Sequence, residues 1–315
     1  MLAFLIGKRT LYLRQWLYHD YNLARINGFS FEPSYFATYM LIGCFIWFIL
    51  WIRNNDFIKY RGIILSTLGI VLFLSSSRIG WIGIIFIIAY GVVEFFGHFF
   101  IHKKFTKQNL KFFIYFLMGV LFVAAALIYI STNPERFNFL FQGTGLFNTA
   151  DASYSMRFDR TIKTIEVFID KPVNIILGVG PGGAGAYMVA NPEKFNIYAS
   201  GFAKLWSTEP NAIGAELLAS VGVVGFMIFA WFIINIFKRL WNLYRNNILV
   251  SKYRTICLAL FWGLVIELLI LQLNQNYLRP YLWLHIGISI AVINTLEYLL
   301  KNKTGSVIIS NGQIK

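Results

Sequence analysis

Charge is scarce in this sequence. Aspartate, glutamate, lysine and arginine make up 13% of 315 residues, against about 25% in soluble domains, so a water-facing globular surface cannot be built from it. Cysteine is scarcer still: Cys44 and Cys257 each lie inside an apolar run, which suits small buried side chains and gives no disulfide framework or thiolate metal site. The 14 acidic residues include no Asp-x-Asp pair, and no His, Cys and carboxylate group has metal-ligand spacing. Metal-held diphosphate chemistry is therefore not indicated, and no cofactor is expected. Internal repeats are also missing, which speaks against a transporter built from duplicated halves.

Hydrophobic residues are abundant, at 57% of the chain, with a mean hydropathy of +0.61. A hydrocarbon layer of roughly 30 Å takes about 20 apolar residues per helix, and runs at 35–52, 62–77, 79–96, 112–130, 213–237, 255–273 and 281–299 reach or approach that length. The sequence thus predicts an all-α integral membrane protein, a polytopic bundle of about seven transmembrane helices with a large extracytoplasmic loop. The net charge of +14 does not point to nucleic acid, because the bases fall in short connections. Arg53, Lys59 and Arg61, then Lys103, Lys104, Lys107 and Lys111, then Lys238, Arg239, Arg245, Lys252 and Arg254, then Lys301 and Lys303 mark the cytoplasmic side by the positive-inside rule. The expected division is an extracytoplasmic or interfacial segment 1–34, a first bundle half 35–130, an extracytoplasmic substrate-binding loop 131–212, a second half 213–299 and a cytoplasmic tail 300–315. Residues 1–7 are too short to span, and 11–21 alternate Leu, Tyr and Trp with Arg, Gln and His, as a helix lying along the membrane surface would.

A loop of this size is usually functional or disordered, and its second half reads as ordered. Asp151 and Ser153 are candidate N-caps for a helix over 154–170 that Pro172 stops, with Ile162, Ile165, Phe168 and Ile169 as an apolar stripe that needs a surface to bury against. Arg157 and Arg160, three apart, share another face and can act on one anion. Gly178, Gly180 and Gly183 match G-x-G-x-x-G, but no following helix is evident and the βαβ context of a dinucleotide site is missing. A turn that brings backbone close to substrate or membrane surface is the physical expectation. Glu267 falls deep in the sixth run, where an acid implies a partner: Arg279, His285 or another arginine of the outer face.

Four landmarks occur in order: Arg25 with Gly28, Phe29 and Glu32-Pro33-Ser34 before an apolar run; Ser75-Ser76-Ser77-Arg78-Ile79-Gly80; Arg157 followed by Leu177-Gly178-Val179-Gly180; and Asn211 before a run containing Gly222-Val223-Val224-Gly225. The set resembles the bacterial O-antigen ligase and polymerase family. The resemblance implies a GT-C-like membrane glycosyltransferase of the inner or plasma membrane that works on its extracytoplasmic face with polyprenyl diphosphate-linked glycans. It also implies upstream helices that this sequence does not contain, and flippase and chain-length regulator proteins as partners. Ligases of the family carry a histidine just before the Asn; Pro210 stands there, which favours a polymerase, with a ligase or a lipid-glycan transporter as the alternatives.

Arginine stays charged and offers paired donors to phosphate, so Arg78 is the leading candidate for charge on a diphosphate leaving group. Arg25, Arg157, Arg160 and Arg279 stand in support, and Asn211 is carried as substrate-binding by the resemblance. Each arginine has a plain alternative as a headgroup anchor. An acceptor hydroxyl also needs a base within reach: Glu32 is the first candidate, Glu209 and Asp159 are others, and each carboxylate can equally be an ion-pair partner that positions arginines.

Overall fold

The computed structural model describes residues 33–53, 60–75, 77–102, 152–197, 208, 210–274 and 277–302. Among these, the regular structure is helical: α1 Pro33–Ile52, α2 Arg61–Leu74, α3 Arg78–His102, α4 Ala152–Ile169, α5 Pro172–Leu177, α6 Gly183–Ala190, α7 Ile213–Arg245, α8 Ser251–Asn274 and α9 Pro280–Lys301. The first three form one compact unit and the last six another. Among the described residues, four helices are long and apolar enough to cross a membrane: α1, α7, α8 and α9. The expectation of seven spans is met only to that extent. At 14 residues, α2 reaches only about 21 Å at 1.5 Å per residue. The run at 112–130 lies outside the described residues.

In the first unit, α1 carries no charged residue and packs against both α2 and α3. Ala37, Leu41, Cys44, Phe45, Phe48 and Ile49 are its buried stripe, the spacing of one helical face. The fully buried Thr38 donates its hydroxyl to the Ser34 carbonyl at 2.9 Å. At the other end Arg53 Nε meets Glu94 Oε1 of α3 at 2.6 Å. Ser75 and Ser77, both buried, make the turn into α3, and the Ser75 hydroxyl donates to the Leu72 carbonyl at 2.6 Å.

The second unit is organised around α7, which packs against α4, α5, α6, α8 and α9. It runs to Arg245, eight residues past the expected end at 237, because Arg239 gains Glu297 of α9 at 2.7 Å and Asn294 at 2.8 Å. Two local expectations are corrected. Pro172 does not merely end α4; it sits at the first position of α5, where a missing N–H costs nothing. A helix, α6, does follow the glycine turn, starting at Gly183, but a helix precedes that turn as well, so the dinucleotide context remains absent.

Candidate active site

The geometry begins with a break in α7. Gly222 has φ 65° and ψ −173°, a backbone conformation open in practice only to glycine. In an unbroken helix the carbonyls of Ala219 and Ser220 would accept from residues four further on. Here they accept instead from the Val179 and Gly180 amides, each at 2.8 Å. Gly178 has φ 75°, and a Cβ there would lie 2.3 Å from the Ser220 carbonyl carbon; one on Gly222 would lie 2.3 Å from the Ile176 oxygen. Two glycines 44 positions apart thus let two backbones touch. The Leu-Gly-Val-Gly turn was expected to approach substrate or membrane surface; the backbone it approaches is that of α7.

Behind the turn, Val167, Ala184, Met188, Phe195, Ile197 and Ala219 form a buried apolar cluster that ties α4, α6 and α7 together. Asn174 Nδ2 donates to the Val167 carbonyl at 3.0 Å and caps α4. Asp170 accepts from both the Tyr187 hydroxyl and Lys194 Nζ; these bonds, Lys194 first, hold its carboxyl below the ordinary aspartate range.

Around the N-terminal end of α7 lies a set of buried polar groups. Asn211 is buried, and its Nδ2 has no hydrogen-bond partner among the described residues. Glu216, in the first turn of α7 and buried, accepts from the Tyr277 amide at 3.3 Å. An acid in that position is favoured by the helix dipole. Ser220, also buried, follows one turn on. The Tyr277 phenol stands close to Ser220, Glu216 and the Gly182 backbone, and burial raises its pKa above the ordinary tyrosine value; its hydroxyl nevertheless falls short of hydrogen-bond geometry. Gln272 Oε1 accepts from the Gly214 amide at 3.1 Å, which fixes α8 to the same end. Arg279 is the N-cap of α9, two residues beyond Tyr277. The turn bearing Arg279 is therefore held to the first turns of α7, which begin beside Asn211.

The loop arginines sit differently from expectation. Ile162 and Ile165 are 40% and 43% exposed, whereas Arg160 is 8% exposed and Thr164 and Val167 are fully buried. The inward face of α4 is therefore Arg160, Thr164 and Val167; Phe168 packs against the buried cluster, while Ile162, Ile165 and Ile169 of the expected stripe are exposed. Periodicity identifies a stripe but not the medium that covers it. Arg157 is half-buried. Asp159 is exposed and pairs with Lys163 at 2.8 Å. Arg78 is the first residue of α3, in the first unit. Arg25, Glu32 and Glu209 lie outside the described residues.

Within the apolar part of the bundle, His285 Nδ1 of α9 lies 2.6 Å from Glu267 Oε2 of α8. Of the partners considered for Glu267, the histidine is the one it meets. Both residues are buried, as is Ser289 one turn along. Glu216, Ser220 and Tyr277 were not singled out from the sequence. A signal existed for Glu216: an acid within an apolar span is itself a flag.

Apolar helices long enough to span, one broken and capped by a folded connecting segment, define a multi-pass membrane protein. The O-antigen ligase family model matches residues 63–230, from α2 through the Gly222 break, and the chain belongs to that family. No curated protein and no solved structure matches it. Among the described residues, no group of three or more His, Cys, Asp or Glu could hold a metal ion.

Proposed function

We propose that this protein is a membrane glycosyltransferase that polymerises lipid-linked oligosaccharide repeat units into a bacterial surface polysaccharide: O-antigen, capsule or exopolysaccharide. The family match over 63–230 is the observation that carries it. The anomeric carbon of the growing glycan leaves its diphosphate oxygen and bonds to a hydroxyl of the next repeat unit. The hydroxyl proton passes to a base, and the bond electrons leave with polyprenyl diphosphate. Charge grows on that leaving group, and guanidinium groups oppose it without further reorganisation; Arg78, Arg25, Arg157, Arg160 and Arg279 are assigned this work. Glu32 is assigned as base. Asn211, buried with an Nδ2 that has no hydrogen-bond partner among the described residues, is assigned to orient the donor.

The reading puts the reaction on the extracytoplasmic face of the inner membrane, where a flippase delivers donors and a chain-length regulator limits the product. Pro210, in the place of the ligase histidine, supports polymerisation. The family description, O-antigen ligase, favours a second reading, in which the finished glycan passes to a different acceptor. Purified protein given lipid-linked repeat units decides between them: a ladder of lengths supports the polymerase, and transfer only upon addition of a second acceptor lipid supports the ligase.

A further inference from the structure

The exposed face of α4 and α5 is apolar where a water-facing segment would be polar. On α4, Phe158, Ile162, Ile165 and Ile169 are all exposed, and their spacing of four, three and four residues makes one narrow stripe. Val173, Ile175, Ile176 and Leu177 of α5 are exposed in turn, Leu177 at 62%. Asp159 and Glu166 are exposed beside the stripe, so apolar and charged faces are segregated as in a helix at a membrane interface.

Depth identifies the medium. From Lys238, at the basic end of α7, Gly222 lies about 16 residues back, or about 24 Å at 1.5 Å per residue, still inside a hydrocarbon layer of roughly 30 Å. The Ile176 oxygen touches the Gly222 position, so α5 sits at the same level. Immediately below, Val223, Val224, Met227 and Ile228 of α7 are exposed on a membrane-crossing helix, and the exposed α5 side chains belong to the segment that meets this helix at Gly222.

We infer that α4 and α5 dip into the bilayer, with this face covered by acyl chains of the leaflet farther from Lys238. The connecting segment is then part of the membrane-embedded body. The inference is independent of which glycan the protein transfers.

Nitroxide labels test it in the full chain, with buried Cys44 and Cys257 changed to alanine and the protein reconstituted in phosphatidylethanolamine and phosphatidylglycerol vesicles. Ile162→Cys, Ile165→Cys, Ile169→Cys and Ile176→Cys are compared with Asp159→Cys and Glu166→Cys. Phe158→Cys and Leu177→Cys cover the same face if any of these fails to accumulate. The expected result is a several-fold higher ratio of oxygen to water-soluble nickel chelate accessibility on the stripe than at the two acidic positions. High chelate access at all sites would put the face in water. Low access to both reagents would put protein over it. Either result overturns the inference.

Discussion

Gly178→Ala probes the contact on which the second unit is built. At φ 75° and ψ −173° a side chain costs about 1 to 3 kcal/mol. Its Cβ would also stand 2.3 Å from backbone of Ser220 and 2.5 Å from that of Val221, atoms that cannot swing aside as a flexible side chain can. The turn must lift, weakening the Val179 and Gly180 bonds to α7, each contributing about 0.5 to 1.5 kcal/mol net. A combined local loss of about 2 to 6 kcal/mol corresponds to about 30-fold to about 20,000-fold faster hydrogen exchange, at 1.4 kcal/mol per decade. The expected change falls on amides 179 and 180. Gly287→Ala, which meets open space in α9, is the control and leaves exchange there unchanged. If Gly178→Ala protects residues 179 and 180 as the parent does, the glycine contact does not hold the segment and the reasoning fails.

Arg78→Lys keeps charge but loses the paired donors, so glycan transfer falls about tenfold or more while the protein accumulates normally; unchanged transfer makes Arg78 a headgroup anchor. His285→Ala leaves Glu267 buried without its hydrogen-bond partner and lowers stability by about 1 to 3 kcal/mol, read as thermal unfolding in detergent. Replacing both with leucine and alanine recovers most of that loss; equal loss in the single and double variants rejects the pair as the cause. Because the folded-state pKa of Asp170 is depressed, its contribution is full above the unfolded value of about 3.9 and disappears as pH falls through the folded value. Protease resistance of residues 183–197 is expected to fall in that window, and Asp170→Asn to flatten the profile.

The spans at 35–52, 213–237, 255–273 and 281–299 were legible because an apolar run of that length with at most one charged residue has few other uses. Their ends were less so: α7 outruns its apolar run because Arg239, beyond it, finds Glu297 and Asn294 across on α9. The helix expected over 154–170 is α4, within two residues at each end. Its buried face was missed, since Arg160 and Thr164 face inward while Ile162 and Ile165 do not. The requirement that Glu267 have a partner follows from its depth alone, but choosing His285 required the packing of α8 on α9. Nothing local ties Gly178 to Gly222 or Glu216 to Tyr277, because both contacts are long-range in sequence and are made only once the segment folds on α7.

Mass spectrometry of the lipid products formed by purified protein from one lipid-linked repeat unit tests the central claim most directly. Glycan transfer predicts free polyprenyl diphosphate, released in step with lipids that carry two or more repeats. Unchanged donor, in a preparation shown to be folded and reconstituted, contradicts it.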